Sequence, residues 1–175
     1  GGEILFSVPV SVKNKKEMTH LLEDIKNVYF VGIGGIGMSA LARYFKAIGC
    51  HVAGYDRTPS ALTEKMKQGE RIEVNYRDEE AEIGLRYRDK ANTLVVYTPA
   101  IPQDSKQLNY FRSNGFSLHK RSEVLGLLSR TGKALCVAGT HGKTTTTTLL
   151  AFLLKNSRIG CNAFLGGISM NFGTN

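Results

Sequence analysis

The chain has 175 residues, 42% hydrophobic and 22% charged, which fits one globular domain or one domain and part of another. No apolar run approaches the roughly 18–20 residues of a membrane span, and the N-terminus lacks the basic-then-apolar layout of a secretory signal. The net charge of +8 favours anionic partners such as phosphates or nucleotides, but the lysines and arginines are scattered. Without a basic helix or aromatic–basic interleaving, a nucleic-acid face is not expected.

In chain order, residues 1–17 are polar and show no clear period. The chain opens Gly-Gly rather than Met, so residues 1–26 are expected to be an extension or tag, and mobile. Asn27–Ile33 (NVYFVGI) is a short apolar run rich in β-branched and aromatic residues, and predicts a buried strand. Residues 34–49 predict a helix, with Ile36, Ala40, Tyr44 and Ile48 on one face and Gly49 as its stop. CHVAGYD (50–56) predicts a second strand. TPSALTEKMKQG (58–69) predicts a helix with Thr58 as N-cap and Pro59 in the first turn. RIEVNY (71–76) reads as a third, more exposed strand, and residues 78–92 as charged and irregular, with room for one helical turn. Then follow a fourth strand (92–98), a helix (105–115), a fifth strand (116–120), a helix (121–132), a sixth strand (133–139), a helix (Lys143–Lys155) and a last short strand (161–167). Strands that alternate with helices need crossover connections. The predicted class is therefore α/β, a doubly wound parallel sheet with helices on both faces.

Cys50, Cys136 and Cys161 are far apart, which argues against a disulfide framework or a zinc site and fits a reducing cytoplasm. Each is expected to be a small buried hydrophobe.

Two stretches carry chemistry. GIGGIG (Gly32–Gly37) satisfies G-x-G-x-x-G directly after a strand and before a helix. Such glycines let the backbone approach a diphosphate, and the helix start offers N–H groups and a positive dipole end. Asp56 closes the second strand, where NAD enzymes place an acid on the ribose. It suits equally the sugar or base of another nucleotide, or a plain turn.

The second stretch is Gly139-Thr140-His141-Gly142-Lys143-Thr144. Val137 stands where the usual phosphate loop G-x-x-x-x-G-K-[ST] has its first glycine. The physics is the same: a strand, inward-facing amides, a lysine for the β/γ-phosphates of ATP and a hydroxyl for Mg²⁺. Thr144 and Thr145 fall in the first turn, where phosphates can satisfy unpaired N–H groups. Thr146–Thr148 read as packing or solvent residues, and Leu149, Leu150, Leu153 and Leu154 as the buried stripe. His141 reads as a loop residue near phosphate, not a base. An NAD(P)-dependent oxidoreductase would rest on Gly32–Gly37 and Asp56 alone and leaves residues 138–148 unexplained. A non-enzymatic nucleotide-binding module is a third class.

On these residues the chain resembles the Mur ligases, ATP-dependent amide ligases of peptidoglycan synthesis. The carrying segments are FVGIGGIGMSALA (Phe30–Ala42) and VAGTHGKTTTT (Val137–Thr147). YTPAIP (97–102), HKRSEVLG (119–126) and FLGG…FGTN (164–175) fall where the family has similar segments. The resemblance implies a Rossmann-like UDP-substrate-binding domain over 27–122 and the beginning of a central P-loop ATP-binding domain over 123–175. It places Gly32, Gly34, Gly35, Ile36, Gly37, Met38 and Ser39 at the diphosphate, and Asp56, Thr98, Pro99 and Ala100 on the uridine side. It places Gly139, Thr140, His141, Gly142, Lys143, Thr144 and Thr145 at ATP, with Lys143 as the catalytic cation and Thr144 on Mg²⁺. Two departures fall on the uridine side: Asn75-Tyr76 where the family often has Gly-His, and Gly-Tyr-Asp-Arg where Ser-Asp is commoner.

The implied reaction is phosphorylation of the UDP-N-acetylmuramate carboxylate by ATP to an acyl phosphate, which the amine of L-alanine then attacks. The relative that attaches whole peptides to the same sugar has the same layout. The family's further metal ligands and its amino-acid-binding domain are expected beyond Asn175. The 175-residue chain is therefore expected to bind the UDP substrate without turnover. A ligation assay with ATP, L-alanine and UDP-N-acetylmuramate checks this, and measurable product would refute it.

Overall fold

The computed structural model describes residues 3–7 (backbone only), 25–130, 133–158 and 160–165. Among them lie strands β1 (Glu3–Ser7), β2 (Asn27–Val31), β3 (His51–Tyr55), β4 (Glu73–Asn75), β5 (Thr93–Tyr97), β6 (Leu118–Lys120), β7 (Lys133–Val137) and β8 (Asn162–Phe164). The helices are α1 (Ile36–Ala47), α2 (Ala61–Gln68), α3 (Lys106–Ser113), α4 (Arg121–Ser129) and α5 (Lys143–Lys155), with two 3₁₀ turns at Glu80–Glu82 and Leu85–Arg88. None of the described helices is long and apolar enough to cross a membrane. The chain divides into two compact units, Leu21–Val124 and Leu125–Asn175 with Gly1–His20.

The first unit is the expected parallel sheet, in the order β4-β3-β2-β5-β6. The first strand of this unit, β2, lies in the middle, and the chain winds first to one side of it and then to the other. That creates a topological switch point between β2 and β5, where open α/β sheets bind ligands beyond the strand C-termini. All five residues of β2 are buried, as a strand covered on both faces must be.

One face buries Tyr29 and Val31 with Tyr55, Val95, Leu108 and Phe111. On the other, Phe30 meets Phe45 of α1, with ring centroids 6.4 Å apart. The buried stripe of α1 is Met38, Leu41, Ala42 and Phe45, not the predicted Ile36, Ala40, Tyr44 and Ile48. Of those four only Ala40 is buried. Ile36 is 41% exposed in the first turn and Ile48, the C-cap, is 53% exposed.

α2 begins later than predicted. Ser60, not Thr58, is its N-cap, and Ser60 and Thr63 form a reciprocal capping box, so Pro59 precedes the helix. The irregular 78–92 segment carries two short turns rather than one.

The second unit holds a three-stranded antiparallel sheet, β7-β1-β8, with α5 packed against it. Residues 3–7 thus form its central strand, where no structure was expected; residues 8–24, also covered by that expectation, lie outside the described residues. β7 does not extend the parallel sheet. The buried positions of α5 are Thr147 and Ala151, while Leu149 and Leu153 are exposed. Two small residues one turn apart allow the helix to approach its neighbours more closely than a leucine stripe would. The cysteine expectation also fails: Cys136 is exposed on β7, and Cys50 and Cys161 are half-buried.

A polar ring closes the first core at the end nearest the switch point. Tyr29 Oη donates to Gln107 Oε1 (2.7 Å), Asn75 Nδ2 donates to Tyr29 Oη (2.8 Å), and Gln107 Nε2 donates to Asn75 Oδ1 (3.0 Å). Each polar atom taken from water thus gains a partner. Burial pushes the Tyr29 and Tyr87 hydroxyls far above the ordinary tyrosine range. A phenol whose folded pKa is raised contributes stability that is present below its unfolded pKa and lost as pH rises through the folded value. Stability is therefore expected to decline above pH ~10. Tyr29→Phe should cost about 1–3 kcal/mol at neutral pH and make the alkaline decline shallower. Urea denaturation of both proteins at neutral and alkaline pH tests this; identical midpoints would show that the ring contributes nothing.

Candidate functional site

The turn from β2 into α1 is shaped by backbone bonds before any side chain acts. Gly32 and Ile33 N–H both donate to Tyr55 O, at 2.8 and 3.0 Å, tying the turn to the end of β3. Gly32 has φ +92°, and a Cβ there would lie 2.5 Å from Thr98 Cγ2. Both the backbone sign and the close approach require glycine. Gly34 N–H donates to Asp56 Oδ2 at 2.7 Å, and a Cβ on Gly34 would collide with that same oxygen. The other carboxylate oxygen of Asp56 accepts from Thr58 N–H at 3.1 Å.

Helical bonding in α1 starts with Met38 and Ser39 N–H, which both donate to Gly35 O. The amides of Ile36 and Gly37 precede it. No side chain caps this helix and its first turn carries no acid. An end of that kind suits an anion.

A cavity of about 700 Å³ opens beside this turn, at the C-terminal ends of β2, β3 and β5. Of the predicted residues it is lined by Gly32, Gly35, Met38, Asp56, Thr98 and Ala100. Gly34, Ile36 and Gly37 belong to the same turn but not to the lining, and Pro99 is not part of the lining either. Ser39 does not face the cavity: it is fully buried, its Oγ donates to Ile36 O at 2.8 Å and its N–H to Gly35 O. A hydroxyl in the first full turn of a helix finds a nearby carbonyl before it finds a ligand.

The charged remainder of the lining went unread in the sequence. It includes Arg57, Asp78, Glu79, Asp104 and Lys106. Asp78 caps α3 from outside, accepting from Ser105 Oγ (3.1 Å), Lys106 N–H (3.1 Å) and Gln107 N–H (3.0 Å). Glu79 pairs with Lys106 Nζ at 2.7 Å. These carboxylates are thus partnered by a helix start and an ammonium. No local pattern links Asp78 to a helix 28 residues away, so only the fold reveals the pairing. The departing Asn75 and Tyr76 are committed inward: Asn75 to the buried ring, Tyr76 Oη to Thr63 Oγ1 (3.0 Å) and Glu64 Oε1 (2.8 Å).

The second predicted turn lies in the second unit. Gly142 caps α5 in the left-handed conformation (φ +76°), again with no side-chain cap and no acid in the first turn. Lys143 Nζ curls over the loop and donates to Gly139 O (2.6 Å) and Thr140 O (3.2 Å). Thr144 is half-buried, while Thr140, His141 and Thr145 are exposed. A glycine-bounded loop, an ammonium across it and a hydroxyl in the first turn fit the phosphates of ATP. Mg²⁺ commonly takes few protein ligands there, the remainder being phosphate oxygens and water. Among the described residues no cluster of three or more His, Cys, Asp or Glu forms a metal site.

Residues 27–133 match the Mur ligase family, catalytic domain. The chain belongs to the Mur ligase family. This Mur ligase chain is 61% identical over 154 residues to UDP-N-acetylmuramate–L-alanine ligase of Phocaeicola vulgatus, covering 88% of the chain and 33% of that protein. It is 57% identical over 152 residues to the protein of the same name from Porphyromonas gingivalis, covering 86% of the chain and 33% of that protein. It therefore spans about a third of the length of the curated relatives it matches. Among solved structures, UDP-N-acetylmuramate-alanine ligase of Thermotoga maritima superimposes with a TM-score of 0.67 at 30% identity, over 83% of this chain and 33% of that one.

If Asp56 frames the glycine turn, Asp56→Ala should lower stability by about 1–2 kcal/mol. Asp104→Ala, an exposed acid of the same cavity, should stay within ~0.5 kcal/mol. Chemical denaturation of the two variants decides; equal effects would remove Asp56 from that role.

Proposed function

We propose that this chain is the part of an ATP-dependent ligase that binds UDP-N-acetylmuramate and begins the ATP site, in an enzyme that joins L-alanine to that substrate. The observation that carries the reading is the pair of uncapped, acid-free helix starts, each entered through a glycine turn, in one chain. The turn at Gly32–Gly37 would take the diphosphate. Asp56, Thr98 and Ala100 lie on the cavity wall where the uridine moiety would follow. The turn at Gly139–Thr145 would take the ATP phosphates, with Mg²⁺ on the Thr144 hydroxyl. When bound, ATP supplies the phosphoryl group that activates the substrate carboxylate. Lys143 would then exchange its two loop carbonyls for phosphate oxygens, bringing a positive charge to where negative charge develops. We place the reaction in the cytoplasm, where ATP is supplied.

An oxidoreductase reading requires Asp56 to hold a ribose. That reading rests on Gly32–Gly37 and Asp56 alone and gives the Gly139–Thr145 turn no role. The names of the two bacterial relatives above support the alanine-adding ligase over the peptide-attaching one.

Thermal denaturation with each ligand in parallel tests the proposal. UDP-N-acetylmuramate at a hundred times its Kd should add about 2.7 kcal/mol of apparent stability, and NAD should add none. Stabilisation by NAD with none by the UDP sugar would overturn it.

A further inference from the structure

We infer that Arg121, at the start of α4, is a ligand for the diphosphate of the nucleotide substrate, seated against the glycine turn by the absence of a side chain at Gly37. The inference rests on the reading of that turn as a diphosphate site.

A Cβ built on Gly37 would lie 2.5 Å from Arg121 Nη1, 3.1 Å from its Cζ and 3.2 Å from its Cδ. The guanidinium therefore lies directly on the first turn of α1. The third glycine of a G-x-G-x-x-G motif ordinarily allows close packing of helix on strand. Here it makes room for a cation.

The electrostatics point the same way. The start of α1 already carries the positive end of the helix dipole, uncapped and without an acid in its first turn. A guanidinium placed beside it adds charge of the same sign, which is unfavourable unless an anion sits between them. Among the described residues no carboxylate lies within ion-pair distance of Arg121. Glu123, two residues on, is turned elsewhere: its Oε2 accepts from Lys120 N–H at 2.8 Å and lies 3.9 Å from His119 Nδ1. Arg121 itself is only half-buried, so a ligand can reach it. Its planar fork of N–H donors matches two phosphate oxygens at once.

The experiment is calorimetric titration of the whole 175-residue chain and its variants with UDP and with uridine. Arg121→Ala should weaken UDP binding about tenfold to hundredfold and leave uridine affinity unchanged. Arg121→Lys should fall between, keeping the charge but losing the fork. Gly37→Ala should weaken UDP in the unaltered background and cost less when Arg121 is already alanine, because its Cβ then meets no guanidinium. Arg121→Gln, which keeps the chain length without the charge, gives the same answer should alanine unfold the protein. Equal UDP affinity in the unaltered and Gln or Ala proteins overturns the assignment while leaving the diphosphate reading standing. A parallel loss of UDP and uridine binding marks Arg121 as merely structural and also overturns it. Failure of the unaltered chain to bind UDP overturns the assignment together with the reading beneath it.

Discussion

The hydrogen bond from Gly34 N–H to the Asp56 carboxylate holds the first turn in its working shape. A turn that presents amides to a ligand must not close on itself, and it must not leave its own N–H groups unpaired behind it. The carboxylate at the end of the neighbouring strand solves the second problem from outside the turn. One of its oxygens takes Gly34 and the other takes Thr58, so the same side chain fixes both the β2–α1 and the β3–α2 connections. Gly32 and Ile33 anchor to the Tyr55 carbonyl one residue earlier. Helical bonding then begins at Met38 and Ser39, whose N–H groups both donate to Gly35 O, and Gly32, Gly35 and Met38 line the cavity.

Much of this was legible in the sequence. The five strand assignments in the first unit were found, those at β2, β3 and β5 on mainly apolar runs and those at β4 and β6 on more polar ones, and the parallel pairing followed from the alternation with helices. Gly32 and Gly34 were recognisable because a motif spacing and a strand–helix context coincided. What was missed depends on side-chain direction or on distant pairing. The stripe of α1 was misplaced because Ile36 and Ile48 lie at the two ends of the helix, where an apolar residue need not be buried. Ser60 outranked Thr58 because its box with Thr63 satisfies two groups at once. Asp56 was open to a ligand role or a turn role in the sequence; it lines the cavity and its oxygens also hold Gly34 and Thr58. β1 was invisible because five residues carry no readable period and its partners lie more than 120 positions away. Asp78 and Arg121 looked like ordinary surface charges until the fold brought them to α3 and to Gly37.

The two turns follow the same rule with different parts. In the first, a carboxylate supports the loop and the third glycine leaves space beside the helix. In the second, the cation comes from the helix itself, and Lys143 is held by carbonyls of its own loop. The run of threonines fits this arrangement. Thr144 and Thr145 lie in the turn where helix propensity matters least, and Thr147 is small enough to be fully buried in the next. Threonine's cost in a helix is a matter of side-chain crowding, and the first turn, with no turn before it, suffers least from that.

The most direct test of the account follows the backbone amides of an isotopically labelled chain by NMR as UDP-N-acetylmuramate is added. The account predicts that the largest shifts fall on Gly35, Ile36 and Gly37, with smaller ones at Thr98 and Ala100 and little change over residues 139–145. Shifts centred on the Lys143 loop, or none at the Gly32–Gly37 turn at saturating ligand, would contradict it.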